Sequence, residues 1–373
     1  MVQVKVGNLF DSKAQTLTNT VNCVGVMGKG IALEFKRRFP EMFKDYEERC
    51  NAGKVVLGKP YLYRPTSGPW ILNFPTKQHW RSVSRLSDIE EGLTYLRNNY
   101  REWGVISIAV PPLGCGNGQL DWAVVGPRLH WHLTRLDIPV ELYAPHGTPD
   151  EQLTGDFLSA NGRVHDDLMS VRSGVPVKAG WFALVEALFR LQQRKYGHPI
   201  GRTSFQKLAY FATELGIPTG LEFERKTYGP YSGAIKRMIG ILQNNGLIVE
   251  QPSGLMIRVG VGPAYEQARQ LYAEQLADWS AEISKLVDLF ARIKTDQAEI
   301  AATVHFAATR MSDTLKPSER DVLAAIEKWK PKKFDPERTA AAIRYLGLLG
   351  WINVAYSKDL VTDELSEVGE GAR

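Results

Sequence analysis

The stretch Asn22-Cys23-Val24-Gly25-Val26-Met27-Gly28-Lys29-Gly30-Ile31-Ala32 follows a strand-forming run, Thr16–Asn22, and leads into a helical pattern, Gly30–Phe39. A second stretch, Pro111-Pro112-Leu113-Gly114-Cys115-Gly116-Asn117-Gly118-Gln119-Leu120, stands in the same way between the run Val105–Val110 and the helical pattern Leu120–Leu136. Glycines allow backbone N–H groups to approach an anion closely, and the helix that follows contributes its dipole. Neither stretch has the spacing G-x-G-x-x-G or G-x-x-x-x-G-K-[ST], which argues against a Rossmann or P-loop site. Either turn alone reads equally well as a tight strand-to-helix connection. Two at one sheet edge point to a ligand, with room for a pyrophosphate and its riboses held from two sides.

Outward from these turns, Val2–Val6, Lys59–Arg64, Trp70–Phe74 and Val140–Tyr143 also read as strands, rich in β-branched and aromatic residues. The helical pattern from Gly30 is expected to stop at Pro40, and Ser87–Trp103 opens with Ser87 and Glu90 in capping-box spacing. Strands alternating with helices predict an α/β domain, with a mixed, largely parallel sheet between helical layers, over residues 1–150. Residues 151–179, rich in Gly, Ser, Asp and Thr, read as a linker with one short helix near Glu151–Leu158.

Residues 180–373 read as a mainly helical domain. Trp181–Arg194, Ser204–Leu215, Ser232–Asn244 and a long run from Ala264 towards Lys294 carry helical patterns. Leu247–Glu250 and Leu255–Val259, joined through Gln251-Pro252-Ser253-Gly254, predict a hairpin, so this half is winged-helix-like.

Composition supports two ordinary cores: 373 residues, 44% hydrophobic and 23% charged. Of the formal net charge of +5, +4 lies in residues 1–150, compatible with a polyanionic partner. The N-terminus alternates like a strand and carries no signal-peptide core, so retention in the cytosol and no membrane partner are expected. Cys23, Cys50 and Cys115 show no paired spacing, so neither disulfides, a metal site nor a cofactor is expected.

Gly7-Asn8-Leu9-Phe10 and the two glycine turns, in this order and spacing, resemble the macrodomain, an ADP-ribose-binding α/β/α fold. The match through Gly28-Lys29-Gly30-Ile31-Ala32, Phe35-Lys36 and Phe39-Pro40 is similar to the subgroup that hydrolyses terminal ADP-ribose links. The whole chain resembles the DarG antitoxins, which reverse DNA ADP-ribosylation by the toxin DarT. The resemblance implies that Asn8 accepts from the adenine amino group and that Asn22 faces the distal ribose. It also implies that Gly25, Met27, Gly28, Gly30 and Ile31 line the first loop. It further implies that Gly114, Cys115, Gly116, Asn117 and Gly118 wrap the phosphates through backbone N–H groups, and that Leu9, Thr76, Gln119 and Leu120 also belong to the ADP-ribose site.

The same resemblance places the catalytic lysine at Lys77, in Asn73-Phe74-Pro75-Thr76-Lys77-Gln78-His79-Trp80. An uncharged lysine amine can attack C1″ and form a Schiff base; a lysine ammonium can instead stabilise the departing base. Related hydrolases pair the lysine with an Asp in the second turn, where this chain has Gly118. Asp121 is expected to cap the following helix rather than to replace that acid. A modified base must enter from single-stranded or unpaired DNA, and Trp80 and Arg81 are candidates to stack on it and to meet a phosphate. The alternative for this pair is a packed tryptophan beside a solvated arginine. Lys36, Arg37 and Arg38 read as a solvated helix face.

In the second half, Gln206-Lys207-Leu208-Ala209-Tyr210-Phe211 followed by Tyr228-Gly229-Pro230-Tyr231-Ser232 is similar to the Panacea-type antitoxin domain. The residues themselves read first as a core helix (Leu208, Phe211) and a turn ending in the N-cap Ser232. The resemblance makes this half a toxin-binding domain for DarT, with acidic Glu222, Glu224 and Asp335 as candidate contacts. The expected activity is hydrolysis of ADP-ribose from thymine in DNA. The alternative is a non-catalytic ADP-ribose reader with a DNA-binding winged-helix domain.

Overall fold

The computed structural model describes residues 1–160, 177–194, 198–253, 256–311, 316–331 and 335–356. They form two units, residues 1–177 with 236–247, and residues 178–235 with 248–373.

The first unit is built on a six-stranded sheet: β1 (Val2–Val6), β2 (Thr16–Asn22), β3 (Tyr61–Tyr63), β4 (Trp70–Lys77), β5 (Ile108–Val110) and β6 (Val140–Ala144). The order is β1-β6-β5-β2-β4-β3, parallel except where β3 pairs with β4. Helices α1 (Gly30–Arg38), α2 (Pro40–Asn51), α3 (Leu86–Asn99), α4 (Trp122–Leu133) and α5 (Gly155–Ala160) cover its faces. Side chains alternate between these faces along each strand. Leu72, Phe74, Ile108, Val110 and Leu142 pack under α3 and α4, whereas Leu17, Val21, Ile71, Ala109 and Tyr143 pack with Phe35, Met42 and Tyr46 of α1 and α2. Both faces are buried, which is why the strands read as near-continuous apolar runs.

Several local expectations change. The first helix stops before Pro40, but Pro40 opens α2, at a position where its missing N–H costs nothing. The capping box at Ser87 and Glu90 does not form: α3 begins at Leu86 after Arg85, and Glu90 pairs with Arg128 at 3.4 Å. The strand over Val105–Val110 shrinks to three residues, and that over Trp70–Phe74 extends to Lys77.

The second unit is mainly helical. It begins with α6 (Ala179–Gln192), α7 (Arg202–Glu214) and the short antiparallel pair β7 (Glu224–Lys226) and β8 (Gly229–Tyr231). Helix α8 (Ile235–Asn244) follows, and residues 236–247 group with the first unit. The hairpin β9 (Ile248–Ser253) and β10 (Met256–Val261) comes next, then α9 (Tyr265–Leu271), α10 (Ala273–Asp278), α11 (Ser280–Arg292), α12 (Thr295–Thr309), α13 (Glu319–Trp329) and α14 (Pro336–Leu348).

Gln251-Pro252-Ser253 is strand rather than turn, and Gly254 with Leu255 lies outside the described residues. The run from Ala264 is three helices, interrupted at Tyr272 and Trp279, not one. Gly229-Pro230-Tyr231, expected as a turn, is a strand. Lys207 explains why this segment accompanies α7: it is buried and its Nζ donates to the carbonyls of Tyr228 and Pro230, each at 3.0 Å. Leu208 and Phe211 are core residues. Glu224 pairs with Lys226, and Asp335 caps α14, so two of the three candidate acidic contacts have local partners. Among the described residues no helix is long and apolar enough to cross a membrane.

Candidate active site

The ends of β2, β4 and β5 are adjacent, because β2 lies between β5 and β4. From these ends emerge the first glycine turn, Lys77 and the second glycine turn. The chain leaves β2 towards β4 on one side and returns to β5 on the other. Ligands of open α/β sheets bind at such a reversal.

The first turn is held by Asn22. Its Oδ1 accepts from Val24 N at 3.0 Å and Val26 N at 3.4 Å, and its Nδ2 donates to Val26 O at 2.5 Å. Tyr46 Oη lies 2.8 Å from the Asn22 carbonyl oxygen and 3.1 Å from Asn22 Oδ1. Asn22, placed opposite the ribose by resemblance, therefore also builds the loop. Val24 and Val26 are exposed at the rim, an apolar feature that the glycine pattern did not single out. Met27 is buried in the core with Asn19 Nδ2 against its sulfur, and Ile31 packs on the same core. Lys29, the N-cap of α1, makes no side-chain capping bond, so the first N–H groups of that helix are left for an anion.

The second turn carries the less ordinary backbone. Gln119 is, among the described residues, the one non-glycine with positive φ (67°), and its N–H donates to Gly116 O at 3.1 Å. Left-handed backbone costs a side-chain-bearing residue about 1–2 kcal/mol. Among the described residues the N–H groups of Gly116, Asn117 and Gly118 have no protein acceptor. Three consecutive donors of this kind suit an anion. Burial holds the Cys115 thiol up to about 12, with the charge of Asp121 adding to the effect, so Cys115 is no nucleophile at neutral pH. Leu120 closes the turn through its N–H to Gly114 O at 3.0 Å.

The absent acid has a steric reason. A Cβ on Gly118 would lie 2.3 Å from Ser84 Oγ and 2.4 Å from Gly114 O. Ser84 N in turn donates to Gly118 O at 2.9 Å. No side chain fits there, so the acid that the family resemblance leads one to expect in this turn has no room. Asp121 caps α4 by accepting from Ala123 N at 3.0 Å.

Lys77, the last residue of β4, is buried at 9% exposure and donates from Nζ to Asn117 O at 3.1 Å. Asn117 also connects the two turns: a Cβ on Gly30 would lie 3.3 Å from Asn117 Nδ2. Thr76 points elsewhere, its hydroxyl donating to Val21 O at 3.3 Å. Asn8 caps the turn after β1, accepting from Phe10 N at 3.2 Å, and Leu9 is buried.

Beyond Lys77, His79 and Trp80 stack with ring centroids 5.4 Å apart, and the Arg81 guanidinium lies 4.5 Å from the Trp80 centroid. Trp80 is 44% exposed, which is not the packed tryptophan of the alternative reading. Arg37 and Arg38 pair with Glu34, and Lys36 lies over Phe43, as a solvated helix face would.

Residues 18–128 match the Macro domain family. The chain is 34% identical to a DNA ADP-ribosyl glycohydrolase of Mycobacterium tuberculosis, over 89% of this chain and 94% of the relative. A DNA ADP-ribosyl glycohydrolase of Thermus aquaticus is also 34% identical, over 89% of each. A DNA ADP-ribosyl transferase-DNA ADP-ribosyl glycohydrolase fusion protein of Thermosipho africanus is 42% identical over 41% of this chain and 44% of its own length.

Proposed function

We infer the function from a premise these relatives supply, that the chain belongs to the DNA ADP-ribosyl glycohydrolase family: it hydrolyses the bond between C1″ of ADP-ribose and a base of DNA. The observation that carries this reading is Lys77, held by the Asn117 carbonyl beside three N–H groups that await an anion. In this assignment the pyrophosphate lies on the N–H groups of Gly116, Asn117 and Gly118 and on the start of α1. Asn8 accepts from the adenine amino group, and C1″ faces Lys77.

The base is thymine, an assignment that follows the family resemblance. It arrives from single-stranded or unpaired DNA across Trp80, with Arg81 at a phosphate. Net reaction consumes one water: its oxygen ends on C1″, and the base nitrogen leaves with a proton. A full-length preparation incubated with a single-stranded oligonucleotide carrying ADP-ribosyl-thymine is expected to release free ADP-ribose and unmodified oligonucleotide. An oligonucleotide that stays modified, while the protein still binds ADP-ribose, makes the chain a reader instead.

The second unit is assigned to binding of the DNA-modifying toxin. The Thermosipho africanus relative carries transferase and glycohydrolase in one chain, so the two activities already occur together. Full-length protein with Lys77→Ala is expected to co-elute with the transferase and to inhibit it. A variant that leaves the transferase free and active sinks this assignment.

A further inference from the structure

Attack by a lysine on C1″ requires the lone pair of an uncharged amine. Near neutral pH a lysine reaches that state through burial or a neighbouring cation. Lys77 is buried, and the cation is supplied from a point far along the chain. Lys236, in the first turn of α8, donates from Nζ to Asn117 O at 2.9 Å, the same oxygen that accepts from Lys77 Nζ at 3.1 Å. Two ammonium groups on one oxygen repel each other, and the repulsion ends when one gives up its proton. Lys236 is the more exposed of the two, so water supports its charge better than that of Lys77.

Helix α8 is fixed where it delivers this group. Asn244 Oδ1 accepts from Leu86 N at 2.7 Å and Asn244 Nδ2 donates to Ser84 O at 3.2 Å. The charged and titratable groups on the elements around the pair include cations as well as neutral or locally engaged groups. Lys29 of the first turn and Arg81 of the loop after β4 are cations, and His79 Nδ1 accepts from Arg81 N at 3.1 Å. On the second turn Cys115 is a neutral thiol, and Asp121 is already engaged with Arg237 of α8 at 3.5 Å.

We propose that Lys236 is a positioning residue of the glycohydrolase, whose charge beside Asn117 O favours the uncharged amine on Lys77. The uncharged Nζ then bonds to C1″ as the C1″–base nitrogen bond breaks. The electron pair of that bond stays on the base nitrogen, which takes the proton that Nζ gives up. Water next adds to C1″, its proton returns to Nζ, and the amine is displaced. The net result is one bond hydrolysed and Lys77 unchanged. This proposal rests on the reading of Lys77 as the catalytic lysine.

The test follows the pH at which Lys77 becomes reactive towards an amine-acetylating reagent, read on its own peptide by mass spectrometry in the full-length protein. Lys236→Ala and Lys236→Gln are expected to raise that midpoint by about one unit, roughly tenfold less free amine at a given pH. Lys236→Arg, which keeps the charge, is expected to stay near the original midpoint. In parallel, Lys236→Ala is expected to lose about tenfold in ADP-ribose release at neutral pH and to recover it at alkaline pH. An unmoved midpoint in Lys236→Ala, an equal rise in Lys236→Arg, or a loss of rate that is the same at every pH overturns the proposal. A midpoint that moves as stated in a protein releasing no ADP-ribose supports the proposal and contradicts the hydrolase reading alone.

Discussion

Asn22 is the register partner of Lys77 across the β2–β4 pair, because the register shifts between Val21 and Asn22 and leaves Thr76 without an opposite residue. Without that irregularity Asn22 would face Thr76, and the side chain beside the first glycine turn would be a threonine. Bulges re-aim side chains in this way next to functional sites. Here one brings the residue that shapes the first turn alongside the amine.

Asn22→Ala is expected to loosen the first turn, since it removes the acceptor of Val24 N and Val26 N and the donor to Val26 O. Leaving such groups unpaired costs about 1–3 kcal/mol. Titration calorimetry with ADP-ribose should show affinity reduced by roughly tenfold or more. Unchanged affinity would show that the turn holds its shape without Asn22.

Gly118→Ala and Gly118→Asp are expected to lower the melting temperature, because a Cβ collides with Ser84 Oγ and Gly114 O. Overpacking of this kind costs about 1–3 kcal/mol. Introducing the missing acid should therefore reduce hydrolysis. A Gly118→Asp protein that melts normally and turns over faster contradicts the steric account.

Trp80→Ala is expected to raise KM for modified single-stranded DNA by roughly tenfold, the scale of one lost base stack. Its affinity for free ADP-ribose should not change. If both fall together, Trp80 belongs to the ADP-ribose pocket and not to a DNA contact.

In the second unit, burial holds the His305 imidazole down to about 4, well below its ordinary 6.5, while Nδ1 lies 2.8 Å from Tyr210 Oη. The unfolded chain therefore binds a proton between about pH 6.5 and 4 that the folded one refuses, and stability falls on acidification through that window. The effect amounts to up to about 3 kcal/mol. Denaturant titrations at pH 7 and pH 4.5 should show a smaller loss on acidification for His305→Phe than for the natural protein. An equal loss in both would show that His305 is not the group responsible.

The architecture of the first unit was legible because it is local. Short, near-continuous apolar runs such as Ile71-Leu72-Asn73-Phe74 and the two glycine turns announce a parallel α/β sheet and its ligand edge. Helix starts were less legible. Arg85 precedes α3 without a capping bond, and Pro40 resembles a stop although it opens α2. What remained hidden is non-local. Ser84 meets Gly118 from a loop of another crossover, and Lys207 grips Tyr228 and Pro230 from a separate helix. Lys236 reaches Asn117 across 119 positions of sequence. No period or spacing encodes such pairs, and each side chain alone reads as an ordinary polar residue. The missing acid was visible as Gly118, but its reason, a lack of space, was not.

The central claim is that Lys77, held at the Asn117 carbonyl, carries the hydrolysis while the glycine turns carry the binding. Its most direct test compares full-length protein with Lys77→Ala in two measurements: ADP-ribose released from modified single-stranded DNA, and calorimetric affinity for free ADP-ribose. Release is expected to fall at least a thousandfold, on the order of 4 kcal/mol of lost transition-state stabilisation, with affinity within a fewfold of the original. Substantial release by Lys77→Ala would contradict the claim.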